Sequence, residues 1–114
     1  MTKVYTEAEV VQILTERLPN WSYTNGYIER TFQTVNWRLT VMLAAAIAFL
    51  AEAAWHHPEL DLRFKSLTVR LHTHDYNNAI TSRDIELAVK IEELATWKPL
   101  ESDAVASRPG TWLS

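Results

Sequence analysis

The sequence contains no cysteine and only two glycines among its 114 residues. Without cysteine the chain forms no disulfide and has no thiolate to act as nucleophile or metal ligand. That absence is compatible with a cytoplasmic location, which is our expectation. The scarcity of glycine leaves no phosphate-binding loop, and the sequence carries neither a Walker motif nor a Ser/His/Asp set. These absences exclude several common classes of enzyme.

The sequence also lacks a surplus of positive charge and a signal-peptide core. Its formal net charge is −3, whereas a nucleic-acid footprint needs clustered Lys and Arg, so we expect no direct binding of nucleic acid. Residues 1–5 contain no apolar run of the kind found in signal peptides. The apolar stretch 39–55 is short for a membrane span, with Arg38 and Glu52 at or inside its ends. We interpret it as a buried core helix and expect no membrane association.

The remaining pattern alternates between helix and strand signals. Capping boxes at 6–9 and 81–84 predict the starts of the first and last helices, and Asn36 caps a long middle helix that Pro58 stops. Asn25-Gly26 predicts a tight hairpin turn. Helices are expected at about 6–18, 37–57 and from 81 onward, and strands at 21–23, 27–34, 61–64 and 67–73. The order α-β-β-α-β-β-α indicates an α+β fold, a four-stranded antiparallel sheet with three helices on one face.

The length suffices for one domain. We expect a single domain over residues 1–97 and an irregular tail over 98–114, which Pro99, Pro109 and Gly110 punctuate. An open sheet of this size has edges that must be blunted or paired, so we expect oligomerisation through an edge.

Histidines near the ends of predicted elements indicate proton-transfer chemistry, because imidazole exchanges protons readily near neutral pH. His56 and His57 lie at the predicted end of the middle helix, where the helix dipole favours imidazolium. Glu52, one turn before His56, is placed to orient or charge that ring. His72 and His74 share one strand face, so spacing alone leaves either as a third member.

Other interpretations of these residues compete with a catalytic one. Three histidines can hold zinc, but neighbouring helical residues point about 100° apart, which makes adjacent histidines a poor chelating pair. Histidines at a helix end also commonly satisfy free carbonyl groups. Asp84 is most simply the capping partner of Thr81, a structural role. Arg30 either anchors a ligand or neutralises a buried carboxylate, and the sequence leaves both open.

The spacing of several of these residues resembles the signature of the pterin-4a-carbinolamine dehydratase family. The residues that carry the resemblance are Glu52, His56-His57-Pro58, Phe64, His74 and Asp84, with Trp21, Ile28-x-Arg30-x-Phe32 and Thr73-His74-Asp75 around them. The match covers about Leu14 to Leu94. Spacing and residue type agree across two separate elements, which makes the resemblance specific.

The resemblance implies an α+β domain with a four-stranded antiparallel sheet, assembled as a homodimer or homotetramer. It implies a hydro-lyase that converts 4a-hydroxytetrahydropterin, such as 4a-hydroxytetrahydrobiopterin, to quinonoid dihydropterin without metal or cofactor. The reaction recycles tetrahydropterin after aromatic amino-acid hydroxylation, so an aromatic amino-acid hydroxylase is an expected partner. One imidazolium would protonate the departing hydroxyl while a neutral imidazole removes the N5 proton. The implied catalytic residues are His56, His57 and His74, with His57 or His74 as the acid, and the implied substrate-binding residues are Glu52, Phe64, Thr73 and Asp75.

The sequence departs from the family pattern in the loop 75–80, which lacks the usual Gly-Gly and is one residue longer. Tyr76 is bulkier than the small residue common there, and Lys65 replaces a frequent Asn. These changes concern the pocket wall and entrance. The alternative function is a non-catalytic binding module, since relatives of this family serve as a dimerisation cofactor for a homeodomain transcription factor or as RuBisCO assembly factors. Retention of the three motif histidines favours the enzyme.

Overall fold

The computed structural model describes residues 1–98 and 112–114. Within these residues, three α-helices and four β-strands follow one another in the predicted order. The elements are α1 (Glu7–Arg17), β1 (Ser22–Thr24), β2 (Tyr27–Gln33), α2 (Trp37–Ala54), β3 (Glu59–Arg63), β4 (Ser66–Leu71) and α3 (Ser82–Thr96), with a short 3₁₀ helix, His74–Tyr76, after β4. Both predicted capping boxes form, at Thr6 and at Thr81.

The four strands form one antiparallel sheet in the order β1-β2-β4-β3. The central pair, β2 and β4, is in register from Ile28 opposite Leu71 to Gln33 opposite Ser66. Asn25 and Gly26, with φ of 53° and 82°, make the predicted turn between β1 and β2. The predicted α+β architecture is therefore confirmed.

The hydrophobic core lies between one face of this sheet and the helices. Alternate residues of β4 are fully buried, and so are residues of α2 and α3 at helical spacing. The completely buried apolar side chains include Ile28, Phe32, Leu43, Ile47, Leu67, Val69, Leu71, Ala88 and Ile91. Arg30 lies on the same face of β2, stacked over Phe32 and bonded through Nε to Glu92 of α3 at 3.0 Å. It therefore neutralises a carboxylate, one of the two alternatives that the sequence left open.

Helix α2 is long and apolar enough to cross a membrane by length and composition, with 18 residues and a mean hydropathy of 1.5. The core helix of a soluble protein meets the same criterion. In this fold Leu43, Ile47 and Ala51 of α2 are buried in the core, as the sequence predicted. The opposite face is largely apolar too, and Val41, Met42 and Phe49 are exposed on it.

Two terminal segments are hydrogen-bonded to distant parts of the chain. Near the N-terminus, the Tyr5 N–H donates to the Ile80 carbonyl at 3.0 Å, and the Ser82 N–H donates to the Lys3 carbonyl at 2.8 Å. Residues 112–114 pair with the end of β2, where Leu113 forms a bridge with Thr34. The expected irregular tail, 98–114, falls mostly outside the described residues, and its last three residues are hydrogen-bonded to residues 33–35 through one isolated bridge.

Candidate functional site

A pocket of about 240 Å³ lies where α2 and β4 end and α3 begins. It is lined by residues 55–57, residues 72–75 and Arg83. The ends of three separate elements thus bring together the three histidines of the sequence motif. Thr73 and Asp75, two of the expected substrate-binding residues, lie in the same lining.

Helix α2 ends at Ala54, before the two histidines. Trp55 takes a left-handed conformation, with φ of 52° and ψ of 46°, and its N–H donates to the carbonyls of Ala51 and Glu52. The prediction that His56 and His57 lie in the last helical turn was therefore wrong. The sequence pattern indicated Pro58 as the stop, but a left-handed residue ends a helix earlier, and this position is usually glycine or asparagine. After this break the two imidazoles bond to different carboxylates.

His56 turns inward and bonds to Asp84. Its Nε2 lies 2.6 Å from Oδ1 of Asp84, and the Asp84 side chain is completely buried. The other carboxylate oxygen, Oδ2, accepts from the Thr73 hydroxyl at 2.7 Å and from the Thr81 N–H at 2.8 Å. An ionised carboxylate only accepts, so the proton of this bond belongs to Nε2 of His56. Asp84 therefore caps α3, as predicted, and also orients a site histidine.

His57 turns outward and bonds to Glu52. Its Nε2 lies 2.9 Å from Oε1 of Glu52, and both side chains are more than half exposed. The Trp55 ring stands edge-on to the His57 ring, with centroids 5.1 Å apart. The expectation that Glu52 orients His56 is corrected here, because the left-handed turn at Trp55 rotates His56 away from the helix and leaves His57 facing Glu52.

The segment after β4 places its side chains on alternate sides. Thr73 points inward and is buried, with its hydroxyl bonded to Thr81 and Asp84. His74 begins the 3₁₀ helix and is exposed in the pocket lining. Asn77 and Asn78 both take left-handed conformations, with φ of 57° and 62°. Asparagine tolerates this region, so these two residues make the turn without the Gly-Gly usual in the family.

Phe64 does not belong to this pocket. It lies at the turn between β3 and β4, with 66% of its surface exposed, whereas the pocket lies at the other end of β4. The expectation that Phe64 contacts the same ligand is therefore not met within one chain. The motif gives only the spacing of these residues along the chain. It does not predict that the hairpin turn between β3 and β4 places Phe64 far from the histidines.

Two residues of the pocket were missed by the sequence reasoning, Trp55 and Arg83. Arg83 lies in the first turn of α3, and its Nη1 is 4.0 Å from Oδ2 of Asp75 across the pocket rim. A cation in the first turn opposes the helix dipole. That unfavourable placement is a signal that could have indicated a functional residue. Trp55 carries no comparable signal.

The structure also tests the arrangement needed for a metal ion. Within residues 1–98 and 112–114, no three His, Asp or Glu side chains are grouped so that they could hold one. The two histidines next to each other in sequence point to different carboxylates, Asp84 and Glu52. The geometry instead gives two imidazole–carboxylate pairs and two further imidazoles, His72 and His74, in the part of the lining that follows β4.

Known proteins of one family resemble this chain along most of its length. The sequence profile of the family described as "Pterin 4 alpha carbinolamine dehydratase" matches residues 3–94. A relative from Aquifex aeolicus (strain VF5), named "Putative pterin-4-alpha-carbinolamine dehydratase", is 46% identical over 94 residues, which are 82% of this chain and 93% of the relative. A relative of the same name from Chloroflexus aurantiacus (strain ATCC 29366 / DSM 635 / J-10-fl) is 40% identical over 89 residues, 78% of this chain and 94% of the relative.

A solved structure shares the fold. The crystal structure of a protein described as a transcriptional coactivator/pterin dehydratase from Brucella melitensis superposes with a TM-score of 0.70 at 30% sequence identity. The superposition covers 78% of this chain and 95% of that one. Sequence and structure therefore agree on one family, and the matched region includes all the residues of the pocket.

Proposed function

Because the chain belongs to the pterin-4a-carbinolamine dehydratase family, we propose that it removes water from 4a-hydroxytetrahydropterin. In this elimination the C4a–O bond breaks and the hydroxyl leaves as water after accepting a proton. The N5–H bond gives up its proton, and its electron pair forms the C4a=N5 double bond of quinonoid dihydropterin. The step changes no overall oxidation state, so we propose that it needs one acid, one base and no cofactor.

The observation that carries this proposal is the meeting of the three motif histidines in one pocket, two of them on carboxylates. We assign the acid to His57, because its Nε2 lies 2.9 Å from the Glu52 carboxylate, which would stabilise the ring whenever it carries the second proton. His57 is also more than half exposed, so it can regain a proton from water after each turnover. The departing hydroxyl would lie against its ring.

We assign the base to His74. Within the described residues His74 has no carboxylate partner, and it lies in the wall formed by the end of β4, across from the α2 end. A neutral imidazole there can accept the N5 proton directly or through a water molecule. His56 is held by Asp84 and would fix the position of the ring between the other two histidines.

The pocket also offers a group for the pterin ring. Asp75 lines the pocket and is largely exposed, and among the described residues its carboxylate makes one long contact, to Arg83 at 4.0 Å. A carboxylate suits the amino group and ring N–H of a pterin, which donate in parallel. The Thr73 hydroxyl is fully engaged inside the protein, so its contribution would be to hold Asp84 rather than to bind the substrate.

The test is dehydration of chemically generated 4a-hydroxytetrahydropterin, followed by ultraviolet absorbance against the spontaneous rate in buffer. We expect acceleration by the wild-type protein and a fall of about 100-fold or more in His57→Ala and in His74→Ala. Thr68→Ala is the matched control, since Thr68 bonds Thr31 on the outer sheet face. A wild-type rate equal to buffer would refute the enzyme and favour the non-catalytic binding module that the sequence left as the alternative.

We further propose that the protein is a cytoplasmic homo-oligomer. In place of the sheet edge expected from the sequence, we propose the exposed stripe of α2, with Val41, Met42 and Phe49, as the apolar surface that a second copy covers. Light scattering after size-exclusion chromatography tests the number of copies in the assembly. We expect two or four copies for the wild type and a smaller assembly for Phe49→Glu. A monomeric wild type would contradict the proposal without affecting the proposed reaction.

A further inference from the structure

A fourth histidine, His72, lies in the pocket lining without belonging to the family motif. It directly follows β4, which ends at Leu71. Thr73 between them is extended, with φ of −104° and ψ of 103°, so His72 and His74 project from the same side, roughly 6–7 Å apart along the chain. A ligand that reaches His74 therefore has His72 within its length.

The ring of His72 is held in place from one side. It stacks on the Tyr27 ring with centroids 4.3 Å apart and an angle of 15° between the planes. The Tyr27 hydroxyl donates to Oε2 of Glu59 at 2.6 Å. Since β4 lies between β2 and β3 in the sheet, the Tyr27 side chain crosses β4 and is fastened at both ends. His72 thus rests on a platform that is itself fixed.

Neither ring nitrogen of His72 is hydrogen-bonded to any of the described residues. In the part of the chain that the structure describes, the stacking on Tyr27 is the only specific contact of His72. A neutral imidazole presents one N–H donor and one acceptor nitrogen. An oriented ring with both nitrogens free in a pocket is suited to bind hydroxyl groups, which donate and accept.

We propose that His72 is a specificity-determining residue that binds a hydroxylated substituent on the pterin ring of the substrate. This inference rests on the proposed function. The substituent is attached at C6, two bonds from C4a, the carbon that loses its hydroxyl. In a pterin that reacts at His74 this substituent can therefore reach His72, which lies roughly 6–7 Å from His74. Proton transfer stays with His57 and His74, and His72 acts on affinity for the substituted substrate.

The experiment measures dissociation constants by calorimetry for two stable ligands, 7,8-dihydrobiopterin and 7,8-dihydropterin, which differ only in the dihydroxypropyl group. His72→Phe keeps an aromatic ring on Tyr27 but removes both nitrogens. We expect it to weaken 7,8-dihydrobiopterin about three- to tenfold, the effect of a lost hydrogen bond, and to leave 7,8-dihydropterin unchanged. Tyr27→Ala, which removes the platform, should reduce the same affinity ratio, and Thr68→Ala should leave it unchanged.

The same variants are then assayed for dehydration with substituted and unsubstituted substrates. The inference predicts a higher KM for the substituted substrate alone in His72→Phe. Equal losses for both ligands, or no loss for either, would overturn the role of His72 while leaving the dehydratase intact. A wild type that neither binds nor dehydrates pterins would overturn both.

Discussion

Replacing Asp84 tests the connection between the fold and the site. Its carboxylate is completely buried and accepts from the Thr73 hydroxyl, the Thr81 N–H and His56. Asp84→Ala removes the acceptor shared by these three donors, and a buried donor left unpaired costs about 1–3 kcal/mol. Neighbouring losses overlap, so we expect a total of about 3–5 kcal/mol, a large part of the stability of a domain of this size.

Asp84→Asn separates the charge from the shape. The amide keeps one acceptor oxygen for the Thr81 N–H and turns its NH₂ toward His56. We expect a smaller loss of about 1–2 kcal/mol, because a charge-assisted bond becomes a neutral one. That loss lowers the melting temperature by about 4–8 °C per kcal/mol. Urea unfolding followed by circular dichroism measures both variants. Glu86→Gln is the control, because it removes an exposed carboxylate of the same helix and should change stability by less than about 0.5 kcal/mol.

The tautomer of His56 gives a second, independent result. In the wild type we assign a proton to Nε2, which lies 2.6 Å from Oδ1 of Asp84. In Asp84→Asn the amide donates to Nε2, so a neutral ring carries its proton on Nδ1 instead. Nitrogen NMR of labelled histidine distinguishes the two forms. If Asp84→Asn retained wild-type stability and the same His56 tautomer, the carboxylate would not be orienting His56, and our assignment would be wrong.

Three other perturbations have defined outcomes. Trp55→Gly should be about 1 kcal/mol more stable than Trp55→Ala, because the backbone of residue 55 is left-handed. Chemical unfolding compares the two variants, and an Ala variant of equal or higher stability would contradict backbone strain at this position. Glu52→Gln should change stability by less than about 1 kcal/mol, since the pair with His57 is exposed, yet lower the dehydration rate; an unchanged rate would count against His57 as the acid. The hydrogen bond to Glu59 raises the pKa of Tyr27 above 10.0, so its stabilising effect should be present below about pH 10 and lost as the pH rises through the raised value. Tyrosinate absorbance and unfolding at alkaline pH should show that Tyr27→Phe lacks this part of the pH dependence. Equal pH dependence in the wild type and the variant would refute the prediction. Burial raises the pKa of Tyr23, and its titration contributes equally to both proteins.

The fold could be predicted because its signals are local. The capping boxes at Thr6 and Thr81 and the Asn25-Gly26 turn act within a few residues, and each formed as expected. The alternation in β4 and the helical spacing in α2 follow from burial of one face. The pairing order β1-β2-β4-β3 was not predicted, because the contact between β2 and β4 joins two separate hairpins.

The site could be predicted only as a set of residues. The motif placed His56, His57 and His74 in one function, but which carboxylate each imidazole meets depends on contacts distant in sequence. His56 and Asp84 are 28 residues apart, and their bond requires the left-handed turn at Trp55. No local pattern announces a left-handed tryptophan. The expectation that Phe64 contacts the substrate was not met for the same reason, since the β3–β4 hairpin fixes its distance from the pocket.

The pairing of residues 3–5 with residues 80–82 bears on the order of folding events. Val4 bridges to Thr81, the cap of α3, and Ser82 exchanges hydrogen bonds with Lys3. These contacts close nearly the whole domain into a loop. Forming them costs the conformational entropy of closing that loop, which other contacts must offset first. The two β-hairpins need much shorter loops. We therefore expect the start of α3, with Asp84 and Arg83, to acquire its native contacts late in folding and to open first under native conditions, with the amides of Tyr5 and Ser82 exchanging together.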